Sequence, residues 1–202
     1  MIIGKSRFYY LWKKKLSYFL KRRRLFAAMR LVSLPKKKKY RILEVGCANG
    51  MDAVRFLSDV DKYEVCGVDI KPYTIEQENF RFVRADAQAL PFADKSFDLV
   101  LTFGLLEHIE PMEKLCRVIA ELDRVGRHQI SVVPSVSTLV EPHCAALLYP
   151  LRLHEDMVRQ EGPLRLNFFS DHTWAKFLGF SGCKVKLLYY LFPFIKNTVI
   201  YK

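Results

Sequence analysis

The sequence predicts an α/β fold: a Rossmann-like, mostly parallel seven-stranded sheet with helices on both faces and a C-terminal antiparallel strand pair. Three observations predict it. Between Tyr40 and Pro134, short apolar runs rich in β-branched residues alternate with helix-period segments. The first run leads into a two-glycine turn, "EVGCANG". The chain then closes with one helical segment and two strand-like runs joined by a few residues. Strands separated by helical patterns imply right-handed crossovers, and therefore parallel pairing.

Each element has its own justification. "YRILEV" is an apolar run with β-branched content, interrupted only by Arg41 and Glu44, and reads as a strand buried on both faces. "ANGMDAVRFLSDV" reads as a helix with Ala53, Val54, Phe56, Leu57 and Val60 inward. "YEVCGVDI", "FRFVRAD" and the almost wholly apolar "FDLVLTF" are the second to fourth strands. "PMEKLCRVIAELDRV" is an amphipathic helix, with Pro111 suited to its first turn, and "RHQISVVP" is the fifth strand. "SDHTWAKFLGF" is a helix with Ser170 or Asp171 as its N-cap and Gly179 as its stop. "CKVKLLYY" and "NTVIYK" form the closing pair, and the short "LFPFIK" between them permits antiparallel pairing. Residues 135–169 break the rhythm and are long for a plain connection, which marks a substrate-side insertion or lid.

Charge divides the chain. Residues 1–41 carry 15 Lys and Arg and no acid, whereas the remainder carries 18 basic and 21 acidic residues. The net +12 therefore belongs to a basic, aromatic-rich helical appendage, residues 1–39, on a mildly acidic domain, residues 40–202. In the appendage, Phe8, Trp12, Leu16, Phe19 and Phe26 recur at helical spacing with Lys and Arg beside them. Two readings stay open. The segment covers an edge of the domain with its basic side in water, or residues 1–34 attach to an anionic membrane surface, the aromatics inserting. Nucleic-acid phosphates are a less favoured partner. The apolar runs here are far shorter than the roughly 20 residues that span a bilayer, and no signal-peptide core is evident.

Five scattered cysteines, an odd count without C-x-x-C, predict reduced thiols and a cytoplasmic chain, peripheral on the membrane if the helix attaches. The five histidines have no zinc spacing, so no metal site is expected.

In an open parallel sheet, ligands bind where strands end. Gly46 and Gly50 allow a tight turn and a close backbone approach. Asp69 ends the second strand, 19 residues beyond Gly50, where a carboxylate accepts from ribose hydroxyls. Asp86 and Ala87 end the third strand. They suit an adenine amine and ring nitrogen, although a turn aspartate is the plainer reading. Gly104, Glu107 and His108 follow the fourth strand.

Together, "ILEVGCANG", "GVDI", "ADAQALPFADKSFDLVLTFGLLEHI" and "ISVVP" resemble the class I S-adenosylmethionine (SAM)-dependent methyltransferases. The "ADAQALPFADKSFDLV" run is similar to the subgroup that includes quinone-biosynthesis enzymes. The resemblance implies SAM as cofactor. It implies that Glu44 orients the methionine amino group, and that Gly46, Cys47, Ala48 and Gly50 line the methionine portion. Asp69, with Ile70 beside it, would hold the ribose, Asp86 and Ala87 the adenine, and Phe103 would border the cofactor. Ala48 departs from the family, which usually has glycine there.

Methyl transfer to a hydroxyl needs a general base, for which His108 is the first candidate and His143 the second. The fourth strand ends "TFGL", without the Pro-Pro-aromatic motif of amino-group nucleic-acid methylases, and no Pro-Cys nucleophile is present. A small-molecule, lipid-linked or glycan acceptor is expected, methylated at oxygen. The alternatives are an RNA-directed methyltransferase using the basic N-terminus, a non-catalytic partner subunit, and a nicotinamide-dependent oxidoreductase.

Overall fold

A computed structural model describes residues 7–50, 52–58, 60–75, 80–135, 140–141, 146–147, 169–178, 182–191 and 195–202. The elements run α1 (Arg7–Met29), β1 (Tyr40–Val45), α2 (Ala53–Leu57), β2 (Tyr63–Asp69), β3 (Phe80–Arg84), β4 (Phe97–Phe103) and a 3₁₀ turn (Leu106–His108). They continue with α3 (Met112–Val125), β5 (Gly126–Pro134), the two-residue strands β6 (Val140–Glu141) and β7 (Ala146–Leu147), α4 (Asp171–Leu178), β8 (Lys184–Leu191) and β9 (Ile195–Tyr201).

The main sheet has the order β3-β2-β1-β4-β5-β9-β8. Its first five strands are parallel; β9 runs antiparallel to both β5 and β8. The chain moves outward from β1 through β2 to β3, then returns to place β4 on the other side of β1. That reversal opens a crevice at the C-terminal ends of β1 and β4, the usual ligand position in such sheets.

Burial follows from the sequence. Every residue of β4 is buried, as its apolar run demands of a central strand. One core layer gathers α3 and α4 through Leu115, Val118, Leu122 and Trp174. The other gathers α1 and α2 through Leu25, Ala28, Val54 and Leu57 over Ile42, Leu99 and Ile130. Ser170 caps α4 by accepting from the Thr173 N–H at 3.1 Å.

Besides Val60, expected inward but exposed beyond the end of α2 at Leu57, two expectations need adjustment. The connections after β2 and β3 are not helical among the described residues: 71–75 and 85–96 are loops. Pro72 and Pro91 remove backbone donors there, and Lys95 turns with φ +51°. The loop at 85–96 is instead stapled to α3. Arg124 donates to the carbonyls of Leu90 (2.9 Å) and Phe92 (2.7 Å) and pairs with Asp94 and Glu121. Glu121 in turn accepts from the Leu90 N–H at 2.7 Å.

The second adjustment concerns α1. It lies on the sheet through Leu25 and Ala28, which are buried, whereas Phe19 of the predicted aromatic face is 56% exposed. Leu16 and Phe26 are half-buried, and the side chains of Phe8 and Trp12 lie outside those described. The surface of α1 that docks is therefore not the one carrying Phe19.

Candidate cofactor site

The turn after β1 is built from alternating left-handed residues: Gly46 (φ +74°), Ala48 (φ +44°) and Gly50 (φ +71°). It is clamped to the tip of β2. The N–H groups of Gly46 and Cys47 both donate to the Val68 carbonyl, at 2.8 and 3.0 Å, and the Ala48 N–H donates to Asp69 Oδ2 at 3.0 Å. Gly46 is required twice. A Cβ there would lie 3.0 Å from Leu105 Cδ1, and its φ excludes most side chains. The Cys47 side chain turns into the core, where its sulfur fills space that a Cβ on Gly67 would occupy. Burial pushes its thiol far up, so it is a packing residue and only its backbone faces the turn.

Glu44 is 2% exposed and sits under the start of α2, accepting from the N–H groups of Ala53 (3.1 Å) and Val54 (2.8 Å). Burial, reinforced by nearby Asp52, pushes its carboxyl up to about 8, against the pull of those two donors and of Arg24. Asp52 pairs with Lys21 (3.1 Å) and with Arg24. The Arg24 guanidinium also lies 4.9 Å from the centre of the Phe103 ring, at the end of β4. The N-terminal helix thus reaches the crevice. Sequence reasoning missed this, because nothing in "KRRR" distinguishes Arg24 from its neighbours.

Asp69 is half-buried, and its other oxygen accepts from the Lys71 N–H at 3.0 Å. The adjoining Ile70 side chain is exposed. Asp86 is exposed and accepts from the Gln88 N–H at 2.9 Å. Ala87 is half-buried against the α3 core layer. The β2 and β3 tips are tied together, the Ala85 N–H donating to the Asp69 carbonyl at 3.1 Å. Beyond β4, Gly104 turns with φ +71°; Glu107 is then buried and His108 exposed on the 3₁₀ turn. His143, and most of residues 135–169, lie outside the described residues. Among the described residues, no group of three or more His, Cys, Asp or Glu is gathered as for a metal.

This donor set fits SAM. A carboxylate offers about four acceptor positions, so Asp69 keeps capacity for ribose hydroxyls after its two backbone bonds. Asp86, one strand over, keeps acceptor capacity for an amine. The turn carries no side chain larger than a methyl at 46, 48 and 50, which leaves its backbone open to close approach.

Comparison with known proteins agrees. Residues 43–129 match a methyltransferase domain family. The chain is 32% identical over 104 residues to 27-O-demethylrifamycin SV methyltransferase of Amycolatopsis mediterranei, covering 46% of this chain and 38% of that one. It is 31% identical over 156 residues to an uncharacterized methyltransferase of Schizosaccharomyces pombe, covering 69% and 53%. The chain thus spans about a third to a half of the length of these curated relatives. In fold it resembles the 1,6-didemethyltoxoflavin-N1-methyltransferase of Burkholderia thailandensis, solved with S-adenosylhomocysteine bound (TM-score 0.60, 16% identity, 91% of this chain and 76% of that one). It also resembles the magnesium protoporphyrin IX methyltransferase of Synechocystis (TM-score 0.58, 16% identity, 92% and 83%). Its sheet order, its glycine turn and the acidic tips of β2 and β3 are those of the class I SAM-dependent methyltransferase fold, and residues 43–129, which carry the turn and both tips, match the methyltransferase domain family.

Proposed function

We propose that the protein methylates a small-molecule, lipid-linked or glycan acceptor, at oxygen, on the membrane-facing side of the cytoplasm. The observation that carries the acceptor class is the end of β4. There Phe103-Gly104-Leu105 stands where amine-gripping enzymes place a Pro-Pro-aromatic motif. The similarity to 27-O-demethylrifamycin SV methyltransferase supports a small-molecule acceptor.

SAM supplies a sulfonium methyl group to an in-line displacement, so the protein's task is alignment. Asp69 and Asp86 fix the nucleoside half by accepting hydrogen bonds. The 46–50 turn presents its backbone to the methionine half. Glu44 orients the amino group through its remaining acceptor capacity or through a water. Phe103, its outer face under Arg24, closes one side. His108, exposed after β4, takes the acceptor's proton, with His143 as the second candidate. The test is an acceptor screen with methyl-labelled SAM in cell extract, fractionated into lipid, RNA, protein and small molecules. Label in the lipid or small-molecule fraction is expected; label confined to RNA would establish the RNA-directed alternative instead.

Attachment to an anionic membrane surface is the second part of the reading. It is supported by the acid-free sequence 1–41 and by Phe19, exposed on α1. No helix among the described residues is long and apolar enough to cross a membrane. Sedimentation with anionic vesicles tests the attachment, using Phe19→Ala rather than a deletion. Removing α1 would strip Leu25 and Ala28 from the core. Loss of sedimentation in the variant is expected; a wild-type protein that stays in the supernatant would contradict the attachment.

A further inference from the structure

A cavity of about 490 Å³ lies at the opposite end of the sheet from the cofactor crevice, lined by Arg22, Phe26, Met29, Arg30, Val32, Leu34, Tyr40, Lys62 and Tyr63. Tyr40 and Tyr63 pair as the first residues of β1 and β2. The six-residue length of β1 therefore separates this cavity from the glycine turn, roughly 17–20 Å. Three cations line the cavity and no carboxylate does. Among the described residues Arg22, Arg30 and Lys62 form no ion pair, in contrast to Lys21 and Arg24 on either side of Arg22 in the sequence. The Arg22 guanidinium lies 5.2 Å from the Phe26 ring centre and the Lys62 ammonium 5.1 Å from that of Tyr40.

We propose that this cavity binds the phosphate of an anionic phospholipid headgroup and so docks the protein on a bilayer. The proposal rests on the membrane attachment above and assigns it a specific site. Three unpaired cations around one cavity complement a phosphate. On a helix, Lys15, Phe19, Arg22, Phe26 and Arg30 fall at spacings of three and four and share one stripe. The exposed Phe19 thus continues the cavity's line toward the helix N-terminus, where it enters the interface as the cations take the headgroup. A nucleic-acid base fits less well. Cations already cover the Phe26 and Tyr40 rings on which it would stack.

The experiment compares sedimentation of the full chain with phosphatidylcholine vesicles and with mixed phosphatidylcholine and phosphatidic acid vesicles. Two triple variants remove equal charge. Arg22→Gln/Arg30→Gln/Lys62→Gln alters the cavity, and Lys36→Gln/Lys38→Gln/Lys39→Gln alters the exposed basic run. Retained S-adenosylhomocysteine binding reports the fold of each, and the three cavity single variants serve if the triple does not fold. The expected result is binding to the anionic vesicles only, weakened at least about tenfold more by the cavity triple than by the control triple. Equal losses would overturn the cavity while leaving general membrane attachment standing. No vesicle binding by the wild type would overturn both. Release from vesicles by glycerol phosphate at concentrations matching the lipid would assign the cavity to a soluble phosphate instead. Cavity-dependent binding of single-stranded RNA without vesicle binding would also overturn the proposal.

Discussion

The Ala48 N–H donates to Asp69 Oδ2 at 3.0 Å, and Ala48 holds a left-handed backbone, φ +44°, to do so. The hydrogen bond joins the glycine turn to the carboxylate at the tip of β2. It also explains why a glycine is usual at this position: any Cβ costs strain there.

Replacing Ala48 by Gly relieves that strain. We expect Ala48→Gly to stabilise the fold by about 0.5–1 kcal/mol, the relief outweighing the added freedom of the unfolded chain. S-adenosylhomocysteine affinity changes only modestly. Gly46→Val, by contrast, places a branched side chain at φ +74° and against Leu105, and abolishes binding. Thermal unfolding with and without ligand checks both.

Glu44 gives the protein a pH signature. Its folded-state value of about 8 lies above the usual 4.5, so the folded chain keeps a proton that the unfolded chain has lost. This contribution to stability is complete below pH 4.5 and declines as pH rises to about 8, by at most about 1.4 kcal/mol per unit. Above that it is flat. Urea unfolding across the window shows the slope, and Glu44→Gln removes it.

Arg124 holds the loop that carries Asp86 to α3. Arg124→Met loses two charged hydrogen bonds to backbone carbonyls and leaves Glu121 without its ionic partner, with only the Leu90 N–H still donating to it. A destabilisation of about 2 kcal/mol is expected, together with weaker S-adenosylhomocysteine binding as Asp86 loses its mounting. Chemical denaturation and titration calorimetry measure the two effects. The partial exposure of the guanidinium limits the ionic share of the loss.

Arg24 couples α1 to the crevice through Asp52, Phe103 and the field at Glu44. Arg24→Met removes a cation that lowers the Glu44 value. The upper end of the pH window therefore moves to higher pH, by an amount that the same urea series reads.

The strands were legible because central parallel strands are predominantly apolar runs. "YRILEV" and "FDLVLTF" coincide with β1 and β4 residue for residue. Asp69 was legible from its spacing to Gly50, since a βαβ unit of fixed length puts it at the next strand tip. Two features were not. The inward surface of α1 rests on Leu25 and Ala28, small signals beside five larger apolar residues at helical spacing. The place of Arg24 depends on Asp52, 28 residues away, and no local pattern encodes that pairing. Likewise the buried setting of Glu44 under α2 depends on how the turn folds back, which residue types at a strand end do not encode.

The central claim is that the acidic tips of β2 and β3 hold the cofactor. Titration calorimetry with S-adenosylhomocysteine, on the wild type, Asp69→Asn and Asp86→Ala, tests it most directly. The account predicts binding by the wild type and a loss of at least about tenfold in Asp69→Asn, with a smaller loss in Asp86→Ala and unfolding midpoints preserved. Wild-type affinity in both variants would contradict it.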